Sequence, residues 1–222
     1  MNKNSLMIKK LVGLATLTAL VIVLQLLSNN VTFGNLSITL ALIPIAVGAI
    51  LYGPLAGLFL GMVMGGIVLT GADTQTYFLS VNPAATVVLC LVKSGVAGLV
   101  SGLLFKLFAF IAKKQSSVNK KKALFAAGII VAALVVPLVN TFIFIFGAVI
   151  FFSVYYPSLE AAIAAVIGTN FLVEFIISAA LSPALVTLVK VLTRQYDLGF
   201  ATDFSEFIEE DKEVEVEQAV EA

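Results

Sequence analysis

LALIPIAVGAILYGPLAGLFLGMVMGGI, residues 40–67, decides how the rest of the chain is read. The stretch carries no charged residue, and its breaks are Pro44 and the Tyr52-Gly53-Pro54 triplet. It reads as the end of one apolar helix, a tight turn, and the start of a second apolar helix. Pro54 suits the first turn of that second helix, where its missing N–H costs nothing. Gly53, Gly57, Gly61 and Gly65 fall four residues apart, so on a helix they line one face. Such a smooth ribbon lets a neighbouring helix approach backbone to backbone inside a membrane. Generic small-residue packing is the plainer reading of the same glycines.

Composition agrees with a membrane setting. The 222 residues are 60% hydrophobic and 12% charged, with a mean hydropathy of +1.10, which marks an all-α integral membrane protein rather than a soluble domain. A single cysteine, Cys90, cannot form a disulfide within the chain and reads as a buried thiol. There is no histidine, which removes HExxH zinc sites, Ser-His hydrolases and most haem sites. No GxxxxGK[ST] occurs, so the chain does not hydrolyse ATP through a P-loop. No cofactor, resident metal, catalytic site or nucleic-acid partner is expected.

Lys3, Lys9 and Lys10 precede an apolar run from Leu11 to Leu27. No small-x-small cleavage pattern follows it, so the run is expected to be a first transmembrane helix rather than a removed signal. After a polar, uncharged loop from Ser28 to Ser37, a short second helix is expected over about 38–51 with Pro44 inside it. A third follows from Pro54 to about Thr70. The segment Gly71 to Asn82 reads as a loop, and Asn82-Pro83 as the cap and first turn of helix four, which runs to about Ala112. A loop with five lysines, 113–122, leads into helix five over about 123–152, broken or kinked near Pro137. Helix six is expected over about 159–193. Residues 1–194 then form a six-helix membrane domain. Residues 195–222, with ten acids and one lysine, form an acidic tail expected to be mostly disordered. Every Lys and Arg except Lys93 falls on the side of the termini, which by the positive-inside rule gives six helices with both termini cytoplasmic.

Polar groups inside apolar spans are the candidates for chemistry, because a central Lys or Asp costs roughly 2.5–3.5 kcal/mol on insertion scales. Lys93 on helix four, Asn140 on helix five, and Asn170 and Glu174 on helix six all fall near mid-depth. Asn170 and Glu174 are spaced i, i+4 and share a face. Two readings fit. In one, Lys93 and Glu174 are an ion pair capped by amides for stability alone. In the other, the four residues floor a ligand cavity walled by the loops around Asn30 to Asn35, Asp73 to Phe78 with Tyr77, and Tyr155-Tyr156, with Asn82 at the mouth.

The Ile-Pro of the second helix, the Leu-Tyr-Gly-Pro-Leu-Ala-Gly turn, the glycine-rich third helix and the six-span layout together resemble the substrate-binding S component of energy-coupling factor (ECF) vitamin transporters. The resemblance extends to about Arg194 and implies a prokaryotic plasma-membrane protein with an S-component-like bundle. It implies that the chain captures a vitamin or related micronutrient from outside, between helices four to six and the outer loops, with the first loop (Asn30, Asn35) as a gate. It also implies docking of an Ala-xxx-Ala on helix one, here Ala15 and Ala19, against a transmembrane coupling subunit driven by two ATPase subunits. Lys93 and the amides suit a carboxylate-bearing vitamin such as pantothenate or folate, whereas Tyr77, Tyr155 and Phe144 suit a flavin. The rival within transport is a stand-alone small carrier or channel using Lys93 and Glu174 as an ion relay, against which no inverted repeat is visible. An intramembrane enzyme built on the same pair and a purely structural assembly protein are the remaining options.

Overall fold

A computed structural model describes residues 3–30, 32–33, 36–37, 39–166 and 171–195. Its elements in chain order are α1 (Lys3–Asn30), a two-strand ribbon of β1 (Thr32–Phe33) and β2 (Leu36–Ser37), α2 (Leu42–Tyr52), α3 (Pro54–Val68), a π-helical turn over Thr74–Leu79, α4 (Pro83–Lys113), α5 (Val118–Phe151), α6 (Leu159–Val166) and α7 (Leu172–Gln195). The ribbon pairs Thr32 with Ser37 and Phe33 with Leu36. The acidic tail expected to be disordered lies outside the described residues.

Among the described residues four helices are long and apolar enough to cross a membrane: Met7–Asn29, Pro83–Lys113, Val118–Phe151 and Leu172–Thr193. The two helices of the 40–67 stretch are shorter, at 11 and 15 residues. The sixth expected helix is described as two pieces, α6 and α7, and residues 167–170 between them lie outside the described residues. The 71–82 segment, read as a loop, instead winds into the π-helical turn. Helix five begins at Val118 rather than about 123, so three lysines expected in the loop fall in its first turns.

At about 1.5 Å per residue α2 covers roughly 16 Å, half of a hydrocarbon core. It is nonetheless the hub, in contact with α1, α3, α4, α5 and α7, and nine of its residues are buried. Pro44 is not interior to it as expected. The helix starts at Leu42, so Pro44 falls in the first turn, where no intrahelical donor is lost. The turn from α2 to α3 is made by Gly53 at φ +96°, a backbone state that side-chain-bearing residues avoid. Its carbonyl accepts from the N–H groups of Ala56 and Gly57, which starts α3.

The glycine ribbon does what its spacing predicts. A Cβ on Gly57, Gly61 or Gly65 would strike the backbone carbonyl of Gly98, Ser94 or Cys90 on α4. The matching order, 57 to 98, 61 to 94 and 65 to 90, makes α3 and α4 an antiparallel pair held at backbone contact. Gly102 continues the seam against Pro54. Gly53, the first of the ribbon, serves the turn and meets nothing within 4 Å.

The two internal prolines do not interrupt their helices. Of the break or kink expected near Pro137, the break is absent, since α5 is continuous through it. Ser101 of α4 donates to the Ala132 carbonyl, five residues before that proline, at 2.7 Å. Pro183 in α7 cannot donate to the Ala179 carbonyl one turn back, and the Ser182 hydroxyl supplies that bond at 2.8 Å.

The ends of the bundle are fixed by a few contacts. Gly13 of α1 lies against the Tyr52 ring, while Asn29 at the far end of α1 donates to the Ile67 carbonyl at 3.0 Å. The start of α1, the Gly53 turn, the end of α4 and the start of α5 therefore share one end, which holds the lysines. The other, lysine-free end gathers the π-helical turn and the residues after α5.

The seam gives a sharp expectation. Gly61→Ala places a methyl on the Ser94 carbonyl and should cost about 1–3 kcal/mol, as overpacking does, seen as a lower melting temperature in detergent. Gly66→Ala, where nothing lies within 4 Å, should leave the melt unchanged.

Candidate functional site

Lys93 and Asn140 reach the same depth from opposite chain directions. Lys93 lies about 15 Å along α4 from its lysine-free end, and Asn140 about 16 Å from the corresponding end of α5, at 1.5 Å per residue. Their helices meet there. Ser94, fully buried beside Lys93 in sequence, donates its hydroxyl to Asn140 Oδ1 at 3.3 Å. Asn140 itself is buried, 6% exposed.

Glu174 joins them from the start of α7 and is 7% exposed. Thr39 offers it both a hydroxyl and a backbone N–H, and Lys93 acts on it electrostatically. The short α2 makes this possible: a helix of roughly 16 Å begins at mid-depth, so the chain enters it beside Glu174. Ala41 and Leu42 at this entry are buried, which is where irregular backbone is tolerated in a membrane.

Among the described residues the Lys93 ammonium has one direct contact, the face of Phe144, 5.3 Å from its Nζ to the ring centroid. Phe144 also belongs to an aromatic cluster that covers the site from the lysine-free end. Phe78, on the π-helical turn, is its centre, meeting Phe152 at 5.0 Å, Phe144 at 5.8 Å, and Tyr155 and Tyr156 at 6.5 Å. Tyr77 meets Tyr155 edge-on at 6.0 Å and is half exposed. Burial pushes the Tyr156 phenol above its ordinary range, so at neutral pH it is an O–H donor.

The structure thus sets Lys93 beside the Ser94–Asn140 bond in sequence, couples it electrostatically to Glu174, and puts Tyr77 in the covering cluster. Asn82 is engaged elsewhere: its side chain caps α4, accepting from the Ala85 N–H at 3.1 Å. Asn170, Asn35 and the side chain of Asn30 lie outside the described residues. Ala15 and Ala19 are exposed on α1, on a face with Leu11, Val12 and Val23. That leaves them free of packing inside the bundle. Sequence reasoning passed over Thr39, Ser94 and Phe152. Ser94 had a signal, a hydroxyl adjoining the one intramembrane lysine, whereas Thr39 comes to the site through the shortness of α2.

An apolar crevice of about 280 Å³ between α4 and α5, lined by Val88, Leu89, Val92, Phe142, Phe146 and neighbours, presents no polar surface and is separate from this cluster. No group of three metal-ligating side chains comes together among the described residues.

Removing the cap should separate structure from binding at the mouth. Asn82→Ala should lower stability by about 1 kcal/mol, while Asn82→Asp keeps the melting temperature near wild type.

A family model described as the substrate-specific component of ECF transporters matches residues 9–186. No curated protein and no solved structure matches the chain.

Proposed function

Since the chain belongs to the family of ECF transporter substrate-specific components, we propose that it captures a vitamin or related micronutrient at the Lys93–Asn140–Glu174 cluster and delivers it through a partner module. The observation that carries this reading is the cluster itself. Three costly polar groups from α4, α5 and α7 meet at one depth in apolar spans, under a cover of aromatic rings. A purely structural ion pair is a poor account of them, because Lys93 contacts an aromatic face rather than Glu174.

In this reading α2 and α3 complete the bundle with α1, α4, α5 and the α6–α7 unit as six membrane segments, with both termini on the cytoplasmic, lysine-rich side. The substrate enters from the lysine-free end, past the first loop and the aromatic cluster. Asn170, Asn30 and Asn35 belong to the same site and its gate. Energy comes from elsewhere, because the sequence has no P-loop: two ATPase subunits act through a transmembrane coupling subunit. The exposed Ala15 and Ala19 are where that subunit approaches, since small residues let helices close to backbone distance.

Mass spectrometry of small molecules that co-purify with the detergent-solubilised chain tests the capture reading directly. A bound micronutrient is expected. Lys93→Met and Asn140→Leu should each weaken its binding about tenfold or more, roughly 1.4 kcal/mol, in proteins that melt like wild type. Uptake into liposomes by the chain alone, driven by an ion gradient, would point instead to a stand-alone carrier.

Docking has its own test. Ala15→Leu and Ala19→Leu should reduce recovery of the coupling subunit and transport while substrate affinity stays at the wild-type value. Normal assembly of both variants would leave the alanines as mere lipid-facing surface.

A further inference from the structure

The donors and acceptors of the cluster are not balanced, and the imbalance states what the substrate must offer. Glu174 is served by Thr39, which presents two donors to its carboxylate. Asn140 Oδ1 accepts from Ser94, so the carboxamide turns its N–H groups, not its carbonyl, away from that bond. Lys93 holds three N–H donors, and its one direct contact among the described residues is a ring face, which accepts none of them in a directed way. The groups left to meet a ligand are therefore five N–H donors on two side chains, one of them cationic. The Glu174 carboxylate and Asn140 Oδ1 each already accept from a protein donor.

We propose, building on the capture reading above, that the substrate is a carboxylate attached to a planar ring. The carboxylate receives the Lys93 ammonium and the Asn140 N–H groups. A charge-assisted bond of this kind is about twice as strong as a neutral one, and more so where water is excluded. A cationic substrate would be repelled by Lys93, and a neutral one would leave the ammonium without a counter-charge in direct contact. The ring lies against the Phe144–Phe78–Tyr156 rings, which are continuous with the floor because Phe144 carries Lys93 on one face and meets Phe78 and Tyr156 in T-shaped contacts. Ser94 is then a positioning residue: it fixes which end of the Asn140 amide meets the substrate.

The test uses ring compounds matched in shape and differing in head group, titrated onto the purified chain in nanodiscs. Nicotinate, nicotinamide and 1-methylnicotinamide carry charges of about −1, 0 and +1 at neutral pH. 4-Aminobenzoate and its amide form a second matched pair, with folate, riboflavin and thiamine as larger anionic, neutral and cationic rings. Carboxylates are expected to bind at least tenfold tighter than their amides. That preference should vanish in Lys93→Met and in Asn140→Asp, which replaces the donor by an acceptor of the same shape, while both variants melt like wild type. Ser94→Ala should narrow the preference, and Ser94→Thr should restore it. Tightest binding of a neutral or cationic ring, a preference that survives in both variants, or a co-purifying molecule without a carboxylate would overturn this assignment and leave the capture reading standing. If no ring compound binds the folded chain and no small molecule co-purifies with it, the capture reading falls and the carboxylate assignment with it.

Discussion

Close approach of α3 and α4 along their glycine seam is the constraint on which the rest of the bundle depends. It is made where Gly61 lies against the carbonyl of Ser94, and the same Ser94 sends its hydroxyl to Asn140 on the far side of α4. One residue therefore belongs to the packing seam through its backbone and to the polar cluster through its side chain. A displacement of α4 by the width of a methyl group at Gly61 would be felt at Asn140 without any change in the cluster's own residues. The neighbouring contacts share this arrangement, since Gly65 abuts Cys90 one turn before Lys93 and Gly57 abuts Gly98 one turn after Ser94.

Around this seam the chain meets the demand that no backbone group be left bare in an apolar medium. Pro44, Pro54 and Pro83 all fall in first turns, where the helix has no bond to lose. Pro183 falls deep inside α7, and there a preceding serine covers the orphaned carbonyl. The result is a set of helices that hold their own hydrogen bonds. The buried side-chain polar groups can then be assigned to something other than repair. Ser94, Asn140 and Glu174 are among those whose partners lie on other elements, as is Ser101 through the Ala132 carbonyl.

Much of this was legible in the sequence, for a physical reason in each case. Glycines four apart can line one helix face, and the seam follows from that geometry alone. Lys93, Asn140 and Glu174 stood out because the cost of burying them makes them rare in spans, and their depths could be counted along each helix. What the sequence hid depends on where chains cross. Thr39 reads as part of the second helix until α2 is known to start at Leu42 and not at about 38. The 74–79 segment looked like loop because its polar residues show no helical stripe, yet winding it as a π turn is what aims Phe78 at four other rings. Asn82 carried both a cap signature and a binding reading, and the bond to Ala85 shows which demand its oxygen meets.

Phe144 ties floor to cover, and this sets how the two can behave. Its face holds the Lys93 ammonium, and the same ring meets Phe78 and Tyr156 in T-shaped contacts. Cation–π attraction is worth about 0.5–1 kcal/mol when exposed and about 2 when desolvated, so the ring and the ammonium hold each other in place in the absence of anything better. An anion at Lys93 competes with that ring for the same charge, and a charge-assisted hydrogen bond is the stronger partner. Drawing the ammonium off Phe144 frees an aromatic face directly beneath Phe78, the residue on which the covering cluster is centred. The floor cannot engage a charged group without altering what holds the cover.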